Sequence, residues 1–218
     1  MELWTFWLDS IRSLFVFLST GIGLGTGLGI IVMAVLVRTL ILPLTWGAAY
    51  RGYVRQKVLQ RLRPELEKLR ERFAGESQLY FQNMTALYRQ HGLKLVDGTS
   101  ILGTLAQMPI LLGVFQVLRA GPVSGRFLWI SNLARPDLWL ALVAGLATTL
   151  LVAANPDLPE NLRLIMIVVP AIFAVIAALK FSSALALYWT TTNVYSAVQT
   201  SILHFVVARR IKSGALTI

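Results

Sequence analysis

The chain has 218 residues, 56% of them hydrophobic and 14% charged, and its 20 Lys and Arg against 10 Asp and Glu give a formal net charge of +10. A soluble domain is usually about 45–50% apolar and about 25% charged, so this composition excludes an ordinary soluble domain and predicts an integral membrane protein. The absence of cysteine excludes disulfides and thiolate metal sites.

Residues 3–18, "LWTFWLDSIRSLFVFL", mix Trp, Phe and Leu with Asp9 and Arg12. They lack the basic start and small-residue cleavage site of a secretory signal. The pattern predicts an interfacial amphipathic helix within an extracytoplasmic segment, 1–20. Charge-poor stretches then predict five membrane-spanning helices near 22–46, 100–119, 137–154, 162–180 and 183–208, close to the ~20 apolar residues that cross about 30 Å of hydrocarbon. The fourth reaches that length with Arg163 and Lys180 snorkelling at its ends. The expected class is all-α and polytopic: span one within 21–48, spans two to five within 99–208, and a short tail at 209–218.

Span one opens with "GIGLGTGLG" at 21–29. Neither the strand nor the lysine of a phosphate loop accompanies it. Gly21, Gly25 and Gly29 would share one helix face, which predicts close helix packing. Each glycine weakens a helix by about 1 kcal/mol relative to alanine, so a deformable start to the span is also expected.

Residues 49–98 form the long polar stretch. Leu59, Leu62, Leu66, Leu69 and Phe73 recur at helical spacing, "AGES" at 74–77 breaks the pattern, and Met84, Leu87 and Tyr88 mark a second helix ending near Gly92. A cytoplasmic helical hairpin is expected, with Pro64 a break or a helix start. Ten basic residues against five acidic ones over 50–98 suit either a solvated surface near anionic lipid or a contact with RNA or the ribosome.

Five spans place 47–99, the 155–161 turn and the C-terminal tail on one side, with fourteen Lys and Arg against five on the other. Basic residues accumulate on the cytoplasmic side, so the N-terminus is expected outside and the C-terminus inside.

Polar residues within the spans are unevenly placed. In span two, Ser100, Thr104 and Gln107 share a face; in span five, Trp189, Thr192, Asn193, Ser196, Gln199 and Thr200 fall within an arc of roughly 120°. Such residues often join helices by hydrogen bonds. Arg38 differs, because a cation at a helix centre costs about 2.5–3.5 kcal/mol on insertion scales. Asp137, Asp157 and Glu160 are the acids near the last four spans, all at membrane edges. Arg38 is therefore expected to face a water-filled cavity and to take its partner from elsewhere. The outer halves of spans one and two are apolar apart from Thr26 and Gln116, so the cavity should open to the cytoplasm and end part-way. That suits loading a cargo better than a small channel or transporter, the alternative, which needs a polar route through both leaflets. No HExxH motif or intramembrane aspartate accompanies His91 and His204, so an enzyme is not expected, and His204 reads as an interfacial side chain.

"VRTLILPL" in span one, "LYRQHGLKLVDGTSILGTLAQMPIL" leading into span two, "LALYWTTTNVYSAVQT" in span five and "RPELEKLRERF" in the hairpin stand in an order that resembles the YidC/Oxa/Alb family of membrane protein insertases over nearly the whole chain. The resemblance implies a hydrophilic groove centred on Arg38 and lined by Trp189. In such a groove the hydrophilic tail of a nascent membrane protein is captured, while its apolar segment slides along spans two and four into lipid. It further implies a bacterial inner-membrane location, recruitment of ribosome or Sec translocon through the hairpin, action as a monomer, and no cofactor, nucleotide or metal.

Overall fold

The protein's structure, a computed structural model, describes residues 2–93, 98–120, 123–156 and 158–214, leaving aside the side chains of Leu44, 98–107 and Ala120. The regular elements of the described chain are all helical: α1 (Glu2–Val16), a π-turn segment (Phe17–Gly21), α2 (Gly25–Arg72), α3 (Ser77–Gln90), α4 (Gly98–Ala120), α5 (Leu138–Ala153), a short 3₁₀ turn (Glu160–Leu162), α6 (Arg163–Lys180) and α7 (Ser183–Lys212). The expected all-α class holds, and α1, α3, α4, α5, α6 and α7 fall within a few residues of the limits read from charge and hydropathy; α2 does not, because it runs unbroken from Gly25 to Arg72 where a span ending near 46 and a separate hairpin helix were expected.

Two of those readings are corrected. Gly21, Gly25 and Gly29 do not line one helix face. The chain reverses between Gly21 and Gly25, and Gly23 and Gly25 take φ of 78° and 76°, a region open to glycine because it has no Cβ. Close packing instead falls on Gly27, where a Cβ would overlap the Phe127 ring, and on Gly29, where it would meet the Ser19 backbone at 3.2 Å. Pro64 neither breaks nor starts a helix, since α2 runs through it. Proline removes one backbone donor and crowds the preceding turn, at about 3 kcal/mol; the apolar stripe continues on both sides of it with Leu62 buried and Leu66 half-buried.

The chain forms two compact units, Met1–Pro43 with Ala106–Ile202, and Leu44–Leu105 with Leu203–Ile218. In the first, α2 buries Ile30, Met33, Ala34 and Val37, and α4 buries Val114, Val117 and Leu118, the one-sided spacing of amphipathic helices. The α1 helix joins this core through Ile11 and Phe15. Gly113 lets it approach α4: a Cβ there would sit 2.6 Å from Trp7 Nε1, which donates to the Pro109 carbonyl at 3.2 Å.

Small residues set the contact between α5 and α6. Ala141, Ala144 and Ala147 are buried on one side, Ala174 and Ala178 on the other, and a Cβ on Gly145 would lie 2.6 Å from Val175 Cγ2. Close approach of this kind is how helices associate where apolar burial offers no drive between them. Asp137 caps α5 by accepting from the Leu140 amide at 2.8 Å and from Trp129 Nε1 at 3.1 Å. The rest of α6 points outward as an almost unbroken apolar surface, with Leu164, Val169, Ile172 and Phe173 exposed; an exposed patch of that size calls for an apolar solvent.

Gly25–Pro43 and Glu160–Lys180 are long and apolar enough to cross a membrane, and Met108–Arg119 and Leu138–Ala153 are shorter apolar helices. A polar face lowers the mean hydropathy of α7. In the second unit, Tyr53, Leu203 and Val207 form a small core with Trp46, Tyr50 and Ile211 packed on it, and His204 stacks on Tyr53 with ring centroids 4.1 Å apart. The stripe Leu59, Leu66, Leu69 and Phe73 is half-buried, as are Met84, Leu87 and Tyr88 of α3.

Substituting Gly27→Ala should lower stability in detergent by about 1–3 kcal/mol through overpacking against Phe127. Gly47→Ala, where the new Cβ meets only the tip of Arg51 at 3.4 Å, should be neutral or gain up to about 1 kcal/mol of helix propensity. Unfolding midpoints of the purified variants check both.

Candidate functional site

Arg38 sits on α2 one position past the buried Val37, on the border between the packed face of the helix and the open one. It lines a cavity of about 410 Å³ together with Leu111, Leu112 and Phe115 of α4, Phe181, and Leu185, Tyr188, Trp189, Thr192 and Asn193 of α7. The walls are thus apolar on the α4 side and mixed on the α7 side, with one cation. Arg38 is half-buried, and among the described residues it makes no hydrogen bond or ion pair. The phenols of Tyr188 and Tyr195 are close enough to feel its charge. Neither is an acid that would satisfy a guanidinium as a carboxylate does, by two parallel N–H···O bonds.

The neighbouring polar groups are engaged with the fold. Thr39 Oγ1 donates to the Val35 carbonyl at 2.8 Å and lies 3.3 Å from the Tyr195 hydroxyl. Thr192 Oγ1 donates back to the Trp189 carbonyl at 2.8 Å. Asn193 Nδ2 donates to Thr148 Oγ1 at 2.8 Å, and that hydroxyl donates in turn to the Ala144 carbonyl at 2.8 Å. Both side chains are buried, so Asn193 fastens α7 to α5 while it borders the cavity. The Trp189 indole leans against Phe173 of α6, with centroids 6.5 Å apart.

Of the residues singled out from sequence, Arg38, Trp189, Thr192 and Asn193 meet at this cavity. Ser196 and Gln199 share the same arc of α7 but line none of the described cavities; both are half-buried further along the helix. The Thr104 and Gln107 side chains lie outside the described residues. Sequence reasoning missed Tyr188, Phe115, Phe181 and Leu185. The α7 members of that set, Leu185 and Tyr188, were findable, because 185, 188, 189 and 192 continue one helical face toward the N-terminus. Phe115 was not, since an apolar residue in an apolar span carries no mark. Among the described residues, no three His, Asp or Glu side chains converge. The cavity can accept an anion or hydrogen-bond acceptor at Arg38 and an apolar chain along α4.

A family profile described as 60Kd inner membrane protein matches residues 17–210. The chain is 31% identical over 205 residues to the membrane protein insertase MisCA of Bacillus subtilis, covering 88% of this chain and 76% of that protein. It is 32% identical over 175 residues to a membrane protein insertase YidC of Fusobacterium nucleatum, covering 78% and 82%. A YidC of Staphylococcus aureus is 28% identical over 188 residues, covering 78% of this chain and 64% of that protein.

The Asn193–Thr148 bond should be measurable as a coupling. In a double-mutant cycle of Asn193→Ala and Thr148→Val, unfolding in detergent should give a coupling energy of about 0.6 kcal/mol and at most about 1.7 kcal/mol, the range of interhelical hydrogen bonds in membranes. A coupling of zero would show the bond to be incidental.

Proposed function

This chain belongs to the 60Kd inner membrane protein family, and we propose that it is a membrane protein insertase that receives the hydrophilic end of a nascent membrane protein at Arg38 and releases the apolar segment into lipid. One observation carries this reading: a half-buried guanidinium in a cavity, with no hydrogen bond or ion pair among the described residues. A structural arginine is normally neutralised where it is buried. An arginine left open is placed to be neutralised by what enters.

In this reading the protein crosses the bilayer five times, near 22–46, 100–119, 137–154, 162–180 and 183–208. The N-terminus lies outside and the C-terminus in the cytoplasm, and the 49–98 helices form a cytoplasmic hairpin that meets the ribosome or the Sec translocon. The protein acts as a monomer. Thr104, Gln107, Thr192 and Asn193 wet the groove beside Arg38, Ser196 and Gln199 extend it along α7 past the described cavity, and Trp189 walls it.

The barrier is the desolvation of a charged tail over about 30 Å of hydrocarbon. A polar groove shortens the dry distance. Arg38 offsets part of the remainder: at 4 Å and an effective dielectric of about 20, a carboxylate gains about 4 kcal/mol before desolvation is counted. The apolar segment meets Leu111 and Leu112, both half-exposed on α4, and leaves for lipid because its burial there is favourable.

Reconstituted protein should insert a single-span substrate with a short acidic N-terminal tail into liposomes, read as protease protection of that tail. Arg38→Ala should lose most of the activity and Arg38→Lys should keep more of it. Equal insertion by wild type and Arg38→Ala would remove charge capture from the mechanism. Topology is separately testable because the chain has no cysteine. A membrane-impermeant thiol reagent should label Ser124→Cys in intact cells, and Ser77→Cys only after the cytoplasmic side is opened.

A further inference from the structure

Beside the Arg38 cavity lies a second one of about 390 Å³, lined by Phe115, Leu118, Arg119, Val123, Ala134, Lys180, Phe181, Ser182 and Leu185. Phe115, Phe181 and Leu185 line both. The two rings meet edge to face, with centroids 5.7 Å apart and planes at 89°. They form a partition between the cavities. Along α4 the first cavity takes Leu111 and Leu112 and the second Leu118 and Arg119; along α7, which returns in the other direction, the first takes Tyr188 to Asn193 and the second Ser182. The cavities are therefore stacked along the helix axes, about 10 Å apart at a rise of about 1.5 Å per residue. The second lies at the end where α4 and α6 finish and α7 begins.

The lining of this cavity holds two cations and no acid. Arg119 comes from the last turn of α4 and Lys180 from the last turn of α6. Among the described residues neither has a hydrogen bond or ion pair; the Arg119 guanidinium lies 6.0 Å from the centroid of the Phe115 ring. Basic residues at helix C-termini complement the helix dipole, which accounts for each of them singly. It does not account for two cations from different helices converging on one cavity bounded by the same rings as the Arg38 cavity. The start of α7 adds no anion site of its own. The Ser183 and Ala184 amides already donate to the Arg135 and Leu133 carbonyls at 3.0 and 2.9 Å, and those of Leu185 and Ala186 to the Ser182 carbonyl.

We infer that the Arg119–Lys180 cavity is a second anion-binding station, which receives a carboxylate of the crossing segment after it leaves Arg38 and passes the Phe115–Phe181 pair. The inference rests on the insertase reading above. It deepens that reading by giving the acidic tail a destination on the far side of the apolar partition. Without a second cation, a carboxylate leaving Arg38 would meet Phe115, Phe181 and Leu185 with nothing to offset its lost hydration. Both cations are exposed at their helix ends, so they are accessible from the side to which the tail is delivered.

The test uses the full chain in phosphatidylcholine liposomes and two single-span substrates, one with aspartates in its N-terminal tail and one with those aspartates changed to asparagine. The variants are Arg119→Gln with Lys180→Gln, and the charge-preserving pair Arg119→Lys with Lys180→Arg; unchanged unfolding midpoints confirm that each is folded. The double neutral variant should protect the acidic tail about three- to fivefold more slowly than wild type, the scale of one or two partly exposed ion pairs. The asparagine tail should be unaffected, and the charge-preserving pair should restore the acidic one. Equal rates on the acidic tail in wild type and the neutral variant would overturn the second station while leaving the insertase reading intact. Equal loss on both tails, recovered with phosphatidylglycerol in the vesicles, would overturn it in favour of a lipid phosphate at this site. Failure of wild type to protect either tail above empty liposomes would overturn the insertase reading and the station with it.

Discussion

A guanidinium among apolar helices must be solvated by something, and the arrangement around Arg38 follows from how that demand is met. Among the described residues no carboxylate answers it. Instead α4 and α7 stand far enough apart to leave a cavity, and the side chains facing Arg38 divide into an apolar wall on α4 and a mixed wall on α7. A closed, well-packed bundle would bury the charge without compensation and be strongly destabilised. An open one keeps the charge available.

Holding such a cavity open requires rigidity elsewhere. It comes from contacts that need little volume: alanines and Gly145 between α5 and α6, Gly113 under the indole of Trp7, and Gly27 under Phe127. Polar groups serve the same end. Asn193 is bound to Thr148 across 45 positions of sequence, and Ser183 Oγ donates to the Arg135 carbonyl at 2.6 Å, tying the start of α7 to the preceding loop. The face of α7 that borders the cavity therefore has two duties, because Asn193 anchors the helix while Tyr188 and Trp189 shape the space beside Arg38.

The same division explains why α7 has a lower mean hydropathy than its neighbours. Thr190 and Thr191 return their hydroxyls to carbonyls one turn back, at 2.7 and 2.8 Å, a bond that lets a hydroxyl sit in an apolar setting. Composition along such a helix reports polar side chains without saying which of them bond within the helix, which bond across to another, and which face open space. In α7 all three occur within a few turns.

The sequence by itself determined the helical class, the approximate limits of the described helices other than α2, the family through four ordered motifs, and the oddness of Arg38. Each depends on local signals: hydropathy, breakers, and the cost of a cation in hydrocarbon, all of which act on residues close in the chain. The tertiary structure alone decided that Asn193 is bonded to Thr148, that Ser196 and Gln199 share the arc of Trp189 yet miss its cavity, and that an aromatic pair parts Arg38 from Arg119 and Lys180. Those outcomes depend on distances between helices far apart in sequence. The same 3.6-residue period places a side chain on a face without saying what stands opposite it.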